Sequence, residues 1–152
     1  MRVIVLAGLI ATSPANASTS DRALTTDIDR SEWHPATKLS LDIDTGRYRI
    51  IPPQDPWPKL YPKPEARSGI ASKALRRELR RAFDAAAVDL ADPRCAVAPR
   101  GGIIVSNAGP IELVLHVAGK PLRSGRLADC WTPAVKALQR LLQERFGRPR
   151  AQ

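Results

Sequence analysis

The side chains that could do chemistry in this chain are mainly basic, and many lie in one stretch. The chain has 24 Lys and Arg residues against 15 Asp and Glu residues, and its formal net charge is +9. Between Lys59 and Arg81 there are eight positive side chains and two negative ones. A concentrated positive surface attracts anions and raises their association rates. We therefore predict an anion- or partner-binding surface on one side of a helix, formed by Lys73, Arg76, Arg77, Arg80 and Arg81.

The chemical class of that partner is open at this stage. No recognised nucleic-acid module is present, and no aromatic residues that could stack on bases alternate with these arginines. We predict an anionic component of the cell envelope or an acidic protein as the partner. The alternative is a solvated helix face, rich in Arg because Arg favours helices.

The chain contains two cysteines, Cys95 and Cys130. In an oxidising compartment an even pair most simply forms one disulfide. The loop would span about 36 residues and contribute roughly 3–4 kcal/mol in the chain-entropy model. The spacing is not C-x-x-C, which argues against redox catalysis. With His34 and His116 added it still matches no zinc signature, so we predict no metal site.

We predict no catalytic site and no cofactor. Ser106, His116 and Asp129 could form a triad on paper, but no nucleophile-elbow motif surrounds any serine. A group of carboxylates also lacks the arrangement of a calcium loop and its terminal Glu. Its members are Asp27, Asp29, Asp42 and Asp44.

The N-terminal segment 1–17 has the pattern of a secretory signal peptide. Arg2 is followed by the apolar run Val3–Ala11 and by the small-x-small motif that ends at Ala17. The apolar run is too short to span a membrane, which takes about 20 residues. We therefore predict cleavage near Ala17 and a periplasmic or secreted mature protein without a transmembrane span.

The remaining chain is long enough for one hydrophobic core. We predict a flexible polar leader at 18–32 and a single α+β domain at 33–148. Within the domain, 39–51 alternates apolar and polar residues on both sides of a Thr-Gly turn, which predicts a β-hairpin. A two-residue turn predicts that Leu41 faces Ile50 and Ile43 faces Tyr48, with Asp42 opposite Arg49 and Asp44 opposite Arg47.

The segment 52–64 has six prolines in thirteen residues. Neither a helix nor a central strand tolerates that many, so we predict an extended connector. Trp57 and Tyr61 lie within it. They offer either a recognition segment for a partner or a strap packed over the edge of the core, and we favour the strap.

The rest of the domain contains two amphipathic helices and a second hairpin. The first helix is predicted over 72–90 with Ser72 as its N-cap, although Ser68 is an alternative cap, and the last runs from about Pro133 to Phe146. Between them, 102–119 predicts a hairpin that pairs 103–105 with 111–117, followed by a loop at 120–129. The predicted order is therefore ββαββα: a small antiparallel sheet from two hairpins, two helices packed on one face, and one disulfide.

These features favour a small, basic, exported, non-catalytic binding or accessory module. A small envelope-modifying or hydrolytic enzyme is the alternative, and it would need a pocket where His34 or His116 meets a nucleophile or carboxylates. A further alternative is an inhibitor or assembly partner that presents Trp57 and Tyr61.

Overall fold

The structure is a computed structural model, and it describes residues 20–29, 37–53, 65–96, 112–124, 130 and 132–147. The elements in chain order are β1 (Arg22–Ile28), β2 (Thr37–Asp42), β3 (Arg47–Ile51), β4 (Arg67–Ile70), α1 (Lys73–Leu90), α2 (Pro93–Ala96), β5 (Leu113–Val117), β6 (Lys120–Ser124) and α3 (Pro133–Phe146). The predicted signal peptide, His34, Trp57, Tyr61 and most of the predicted connector lie outside these described residues.

The strands pair in one antiparallel sheet of six, in the order β4-β3-β2-β1-β5-β6. The predicted α+β class with an antiparallel sheet and packed helices is therefore confirmed. The predicted order ββαββα is wrong, because β1, β4 and β6 are strands that the sequence pattern did not indicate and α2 is a short further helix. Strand β1 pairs with β5 far along the chain, and such a partner is not visible in local periodicity. Strand β6 pairs with the adjacent β5, but its Pro121 and its basic residues indicate a loop.

Strand β1 corrects the predicted polar leader, because it lies inside the sheet between β2 and β5. Leu24 and Ile28 are buried in the core, whereas Thr25 is exposed on the opposite face. Thr26 also faces the core side, where its hydroxyl and the Gln139 side chain lie 3.1 Å apart. Polar β-branched residues suit a half-buried strand. The polar residues of this segment are typical of a flexible leader, but its buried side chains and its two neighbouring strands make it a central strand.

One hydrophobic core lies between the sheet and the helices. The side chains Leu24, Leu39 and Leu113 from the sheet share one buried cluster with Phe83 of α1 and Leu138 of α3. The rings of Tyr48 and Phe146 meet edge to face, with centroids 5.0 Å apart. The helices therefore cover one face of the sheet. We call the opposite face the outer face, and its exposed side chains include Thr25, Lys38, Ser40, Arg47 and Arg49.

The hairpin of β2 and β3 forms as predicted, but its register differs from the predicted one. Leu41 pairs with Tyr48 and Leu39 with Ile50, so the pairing is displaced by two residues. The longer turn is stabilised by the Asp42 carboxylate, which accepts hydrogen bonds from the backbone N–H groups of Asp44 and Thr45, both at 2.9 Å. A two-residue shift keeps every side chain on its face. The apolar pattern is therefore satisfied by both registers, and the turn chemistry decides between them.

Replacing Asp42 with Ala is expected to lower the free energy of unfolding by about 1–2 kcal/mol at pH 7, because two turn N–H groups lose their acceptor. Burial raises the pKa of the Asp42 carboxyl, but the hydrogen bonds from Thr45 and Asp44 outweigh it and lower the pKa below its usual 3.8. The stabilisation is therefore present above about pH 3.8 and is lost as the pH falls through the lower folded-state pKa.

Urea denaturation of the native chain and of this variant at pH 7 and near pH 2 measures the effect. The conservative Asp42→Asn variant keeps an amide oxygen acceptor, so it should lose less stability than Asp42→Ala. If the native chain and Asp42→Ala differ in free energy of unfolding by the same amount at pH 7 and near pH 2, the ionised carboxylate does not have the assigned role.

The second hairpin is formed by β5 and β6, with Ala118 and Gly119 at its turn. Both turn residues have positive φ, 48° and 78°, which is typical of a type I′ turn. Strand β5 lies between β1 and β6, so the predicted pairing of 111–117 with 103–105 is wrong. The predicted loop at 120–129 instead begins with β6, which contains Pro121. Proline is tolerated there because β6 is an edge strand.

Helices α1 and α3 agree closely with the predictions. The Ser72 hydroxyl accepts from the Leu75 N–H at 3.2 Å, and the Thr132 hydroxyl accepts from the Val135 N–H at 3.3 Å. These are N-caps of the expected type. Helix α3 ends at Gly147, whose N–H donates to the Gln143 carbonyl at 3.0 Å.

The two predicted disulfide partners come together at one end of the helical layer. Cys95 in α2 and Cys130, just before α3, lie 2.5 Å apart. Cys130 is buried and Cys95 is half-buried. The structure does not show the disulfide itself, so the bond stays a prediction.

Candidate functional site

Helix α1 presents its basic residues on the side that faces away from the core. Leu79, Phe83, Ala86 and Leu90 are buried, and they recur at the spacing of one helix face. The exposed side carries a row of cations one turn apart, which we call the basic row: Lys73, Arg77 and Arg81.

The basic row has no acidic counterpart within the described residues. No Asp or Glu side chain of this part of the chain lies within 4.0 Å of the charged groups of Lys73, Arg77 or Arg81. Like charges four residues apart on a helix destabilise it by about 0.2–0.5 kcal/mol per pair. The row therefore contributes uncompensated positive potential at a small cost to the helix.

The carboxylates nearest to the basic row in sequence are engaged by arginines from other elements. Glu78 Oε2 lies 3.4 Å from Arg145 Nη2 of α3. Asp84 Oδ1 accepts from Arg22 Nε of β1 at 2.9 Å, and this hydrogen bond is the main reason that the pKa of Arg22 is raised. Each of these ion pairs joins α1 to a neighbouring element, so the carboxylates do not neutralise the basic row.

Arg80 does not belong to the free basic surface that the sequence predicted. Its Nη2 donates to Asp44 Oδ1 at 3.2 Å, and Arg22 Nη1 lies 3.4 Å from the same oxygen. Together with Asp84, these residues form a balanced network of two cations and two anions at the join between α1, β1 and the β2–β3 turn. Arg80 is therefore a partner in a structural network.

Arg76 also has a structural environment. Its Nη1 donates to the Thr45 carbonyl at 3.4 Å, and its stem packs on Gly46. A Cβ on Gly46 would collide with the aliphatic part of the Arg76 side chain, and the Gly46 φ of +76° already favours glycine. The half-buried Arg76 side chain thus joins α1 to the turn. Of the five predicted residues, the three of the basic row are those whose charged groups have no ion-pair or hydrogen-bond partner among the residues that the structure describes.

Arg145 is a site residue that sequence analysis missed. It lies in the last turn of α3, where a basic side chain is expected simply because it complements the helix dipole. The structure places it beside the first half of α1, where the two helices border an open depression of about 820 Å³. The depression is lined by Ser72, Ala74, Leu75, Arg77, Glu78, Arg80, Arg81 and Arg145.

Of the residues considered for a catalytic triad, His116 is the one that the structure describes. His116 is half-buried on the outer face, where it pairs with Ala23 and Pro121. Ser106 and Asp129 lie outside the described residues. No cluster of His, Cys, Asp or Glu that could hold a metal ion occurs in the ranges that the structure describes. Asp42 and Asp44 serve the turn and the arginine network instead.

Comparison with protein-family models, with curated proteins and with solved structures found no match to this chain. Among the helices described by the structure, none is both long enough and apolar enough to cross a membrane.

Proposed function

We propose that this chain is an exported, non-catalytic binding or accessory module that uses one helix face to hold an anionic partner. The observation that carries the proposal is the basic row on α1, which is exposed and has no ion-pair partner within the described residues. A headgroup phosphate or a carboxylate of an acidic protein would supply the missing counter-charge.

The geometry of the surface supports a ligand that is broad and charged. Consecutive members of the basic row are four residues apart, which corresponds to about 6 Å along a helix axis. The row therefore presents its charges over roughly 12 Å. An open depression beside exposed basic side chains suits an extended anionic surface better than a small enclosed substrate.

Export is the second part of the proposal. The signal-peptide pattern of 1–17 directs the mature chain to the periplasm or the extracellular space. There a disulfide between Cys95 and Cys130 would persist and tie α2 to the start of α3. The cell envelope is rich in acidic lipids, so this location and the basic row point to the same class of partner.

The double variant Arg77→Gln/Arg81→Gln is expected to bind vesicles of phosphatidylcholine and phosphatidylglycerol roughly 30-fold more weakly than the native chain. The estimate assumes about 1 kcal/mol for each basic side chain near an anionic surface. Both side chains are exposed, so the folded state should be preserved. Vesicle co-sedimentation at physiological ionic strength measures the partition, and retention on a heparin column measures the response to a carbohydrate polyanion.

A matched control is available on the outer face. The variant Arg47→Gln/Arg49→Gln removes the same charge from exposed positions in β3, away from the helices. If both double variants lose vesicle binding equally, net charge alone is responsible and the proposed role of α1 is wrong. If the native chain is retained on heparin but does not bind the vesicles, its partner is a polyanion other than an anionic lipid.

A further inference from the structure

The two edges of the sheet, β6 and β4, differ in the backbone N–H groups that they offer to a further strand. Two hydrogen bonds show which residues of β5 point their backbone toward β1. Ala118 N–H donates to Asp21 O at 2.8 Å, and Asp27 N–H donates to Glu112 O at 3.2 Å. Even-numbered residues of β5 therefore bond to β1, and odd-numbered residues bond to β6. By the register of β5 and β6, Pro121 and Arg123 turn their backbone away from the sheet. Proline has no N–H, so of the two outward positions on this edge only Arg123 retains a donor.

The other edge, β4, carries no such block. Ala71 N–H donates to Gly46 O at 2.9 Å, and this bond continues the register in which Gly69 pairs with Tyr48. In an antiparallel pair the bonded positions alternate, so the backbone N–H and C=O groups of Ser68 and Ile70 point away from β3. No backbone or side-chain group in the described ranges bonds to them. These outward N–H and C=O groups of Ser68 and Ile70 have the two-residue spacing that pairing with one more strand requires.

The side chains around this edge indicate what would pair with it. Ile70 is 67% exposed, so it offers an apolar contact surface beside the β4 edge. Arg49 pairs with Ser68 and Arg47 pairs with Ile70, and both arginines are exposed without an ion-pair partner in the part of the chain that is described.

A second copy of this chain fits that edge poorly. Pairing β4 with another β4 would bring together two basic neighbourhoods in a chain of net charge +9, and like charges across a strand pair are destabilising. An extended segment with acidic side chains at alternate positions would instead place carboxylates beside the arginines. An apolar residue in the same segment could cover Ile70.

We propose that the β4 edge, which has no neighbouring strand among the described residues, binds an extended acidic polypeptide segment by strand addition, with Ser68 and Ile70 supplying the backbone hydrogen bonds. This site lies beyond the helix face of the proposed function and rests on different observations, so either can fail without the other. Its ligand is a peptide segment, recognised by backbone pairing together with charge.

The proposal can be tested with a synthetic peptide in which Glu and Val alternate, added to the full mature chain. We expect slower hydrogen exchange at the amides of Ser68 and Ile70 on addition of the peptide, because only those donors become paired. A peptide in which Lys and Val alternate should produce no such protection. The variant Ile70→Pro removes one outward N–H, as Pro121 does on the opposite edge, and should weaken binding about tenfold.

The controls separate strand addition from general charge attraction. Ile70→Val keeps the N–H and should bind as the native chain does, and Arg77→Gln/Arg81→Gln should leave the protection of Ser68 and Ile70 unchanged. Unaltered exchange at both amides would overturn the proposal, even if Ile70→Pro proved unable to fold. Protection that rises with protein concentration in the absence of peptide would assign the edge to a second copy and contradict an acidic partner.

Discussion

Replacing Leu24 with Ala is expected to lower the free energy of unfolding by about 2–5 kcal/mol, the usual cost of removing a large side chain from a packed core. Leu24 is 1% exposed and belongs to the main core cluster. It lies in β1, which is hydrogen-bonded on both sides, so the cavity is enclosed by β2 and β5 and by the helices. Urea or thermal denaturation of the purified variant measures the change.

The matched control is Thr25→Ala, one residue further along the same strand. Thr25 is exposed on the outer face, so its loss should change the free energy of unfolding by less than about 0.5 kcal/mol. The contrast distinguishes a central strand from a leader, because in a leader both substitutions would be harmless. Equal, small effects would show that β1 does not contribute to the folded core.

Reducing the native protein is expected to lower its free energy of unfolding by about 3–4 kcal/mol, the chain-entropy contribution of a disulfide that closes a loop of this length. Cys95 and Cys130 lie 2.5 Å apart, at the end of the layer where α2 meets the start of α3. Proteolytic mapping without reductant should recover the two cysteines in one linked pair of peptides. Denaturation with and without reductant measures the stability difference.

The double variant Cys95→Ala/Cys130→Ala is the control for this prediction. Its stability should be the same with and without reductant, and it should be close to that of the reduced native chain. Ala suits the position of Cys130, which is buried at 4% exposure, better than Ser, whose hydroxyl would need a hydrogen-bond partner there. Alkylation of both thiols in protein isolated from its host would contradict the bridge.

The helices were the most predictable part of this fold because the information that forms them is local. Ser72 and Thr132 cap helices whose apolar residues recur at helical spacing, and both helices lie where that spacing indicates. The strands were harder to predict, because a strand becomes stable through a partner that can lie anywhere in the chain. Arg67–Ile70 is four residues long and contains Gly69, so no pattern within it marks a strand.

The candidate site shows the same division between local and distant information. One-sided clustering of basic residues on α1 was visible in the sequence, and Lys73, Arg77 and Arg81 do form an exposed row. Arg76 and Arg80 do not belong to that row because they donate hydrogen bonds to Thr45 and Asp44, which lie more than thirty residues earlier in the chain. Helical spacing specifies which side of a helix a residue lies on, but it contains nothing about which turn packs against that side.

The sequence by itself determined the class of the fold, the two long helices with their caps, and the basic character of α1. Each of these follows from interactions between residues a few positions apart. Only the tertiary structure decided that β1 is a central strand, that β4 and β6 are the two edges of the described sheet, and that Arg145 pairs with Glu78 beside α1. The physical reason is that strand order and ion pairing are set by the burial of the whole core and by contacts between residues far apart in sequence.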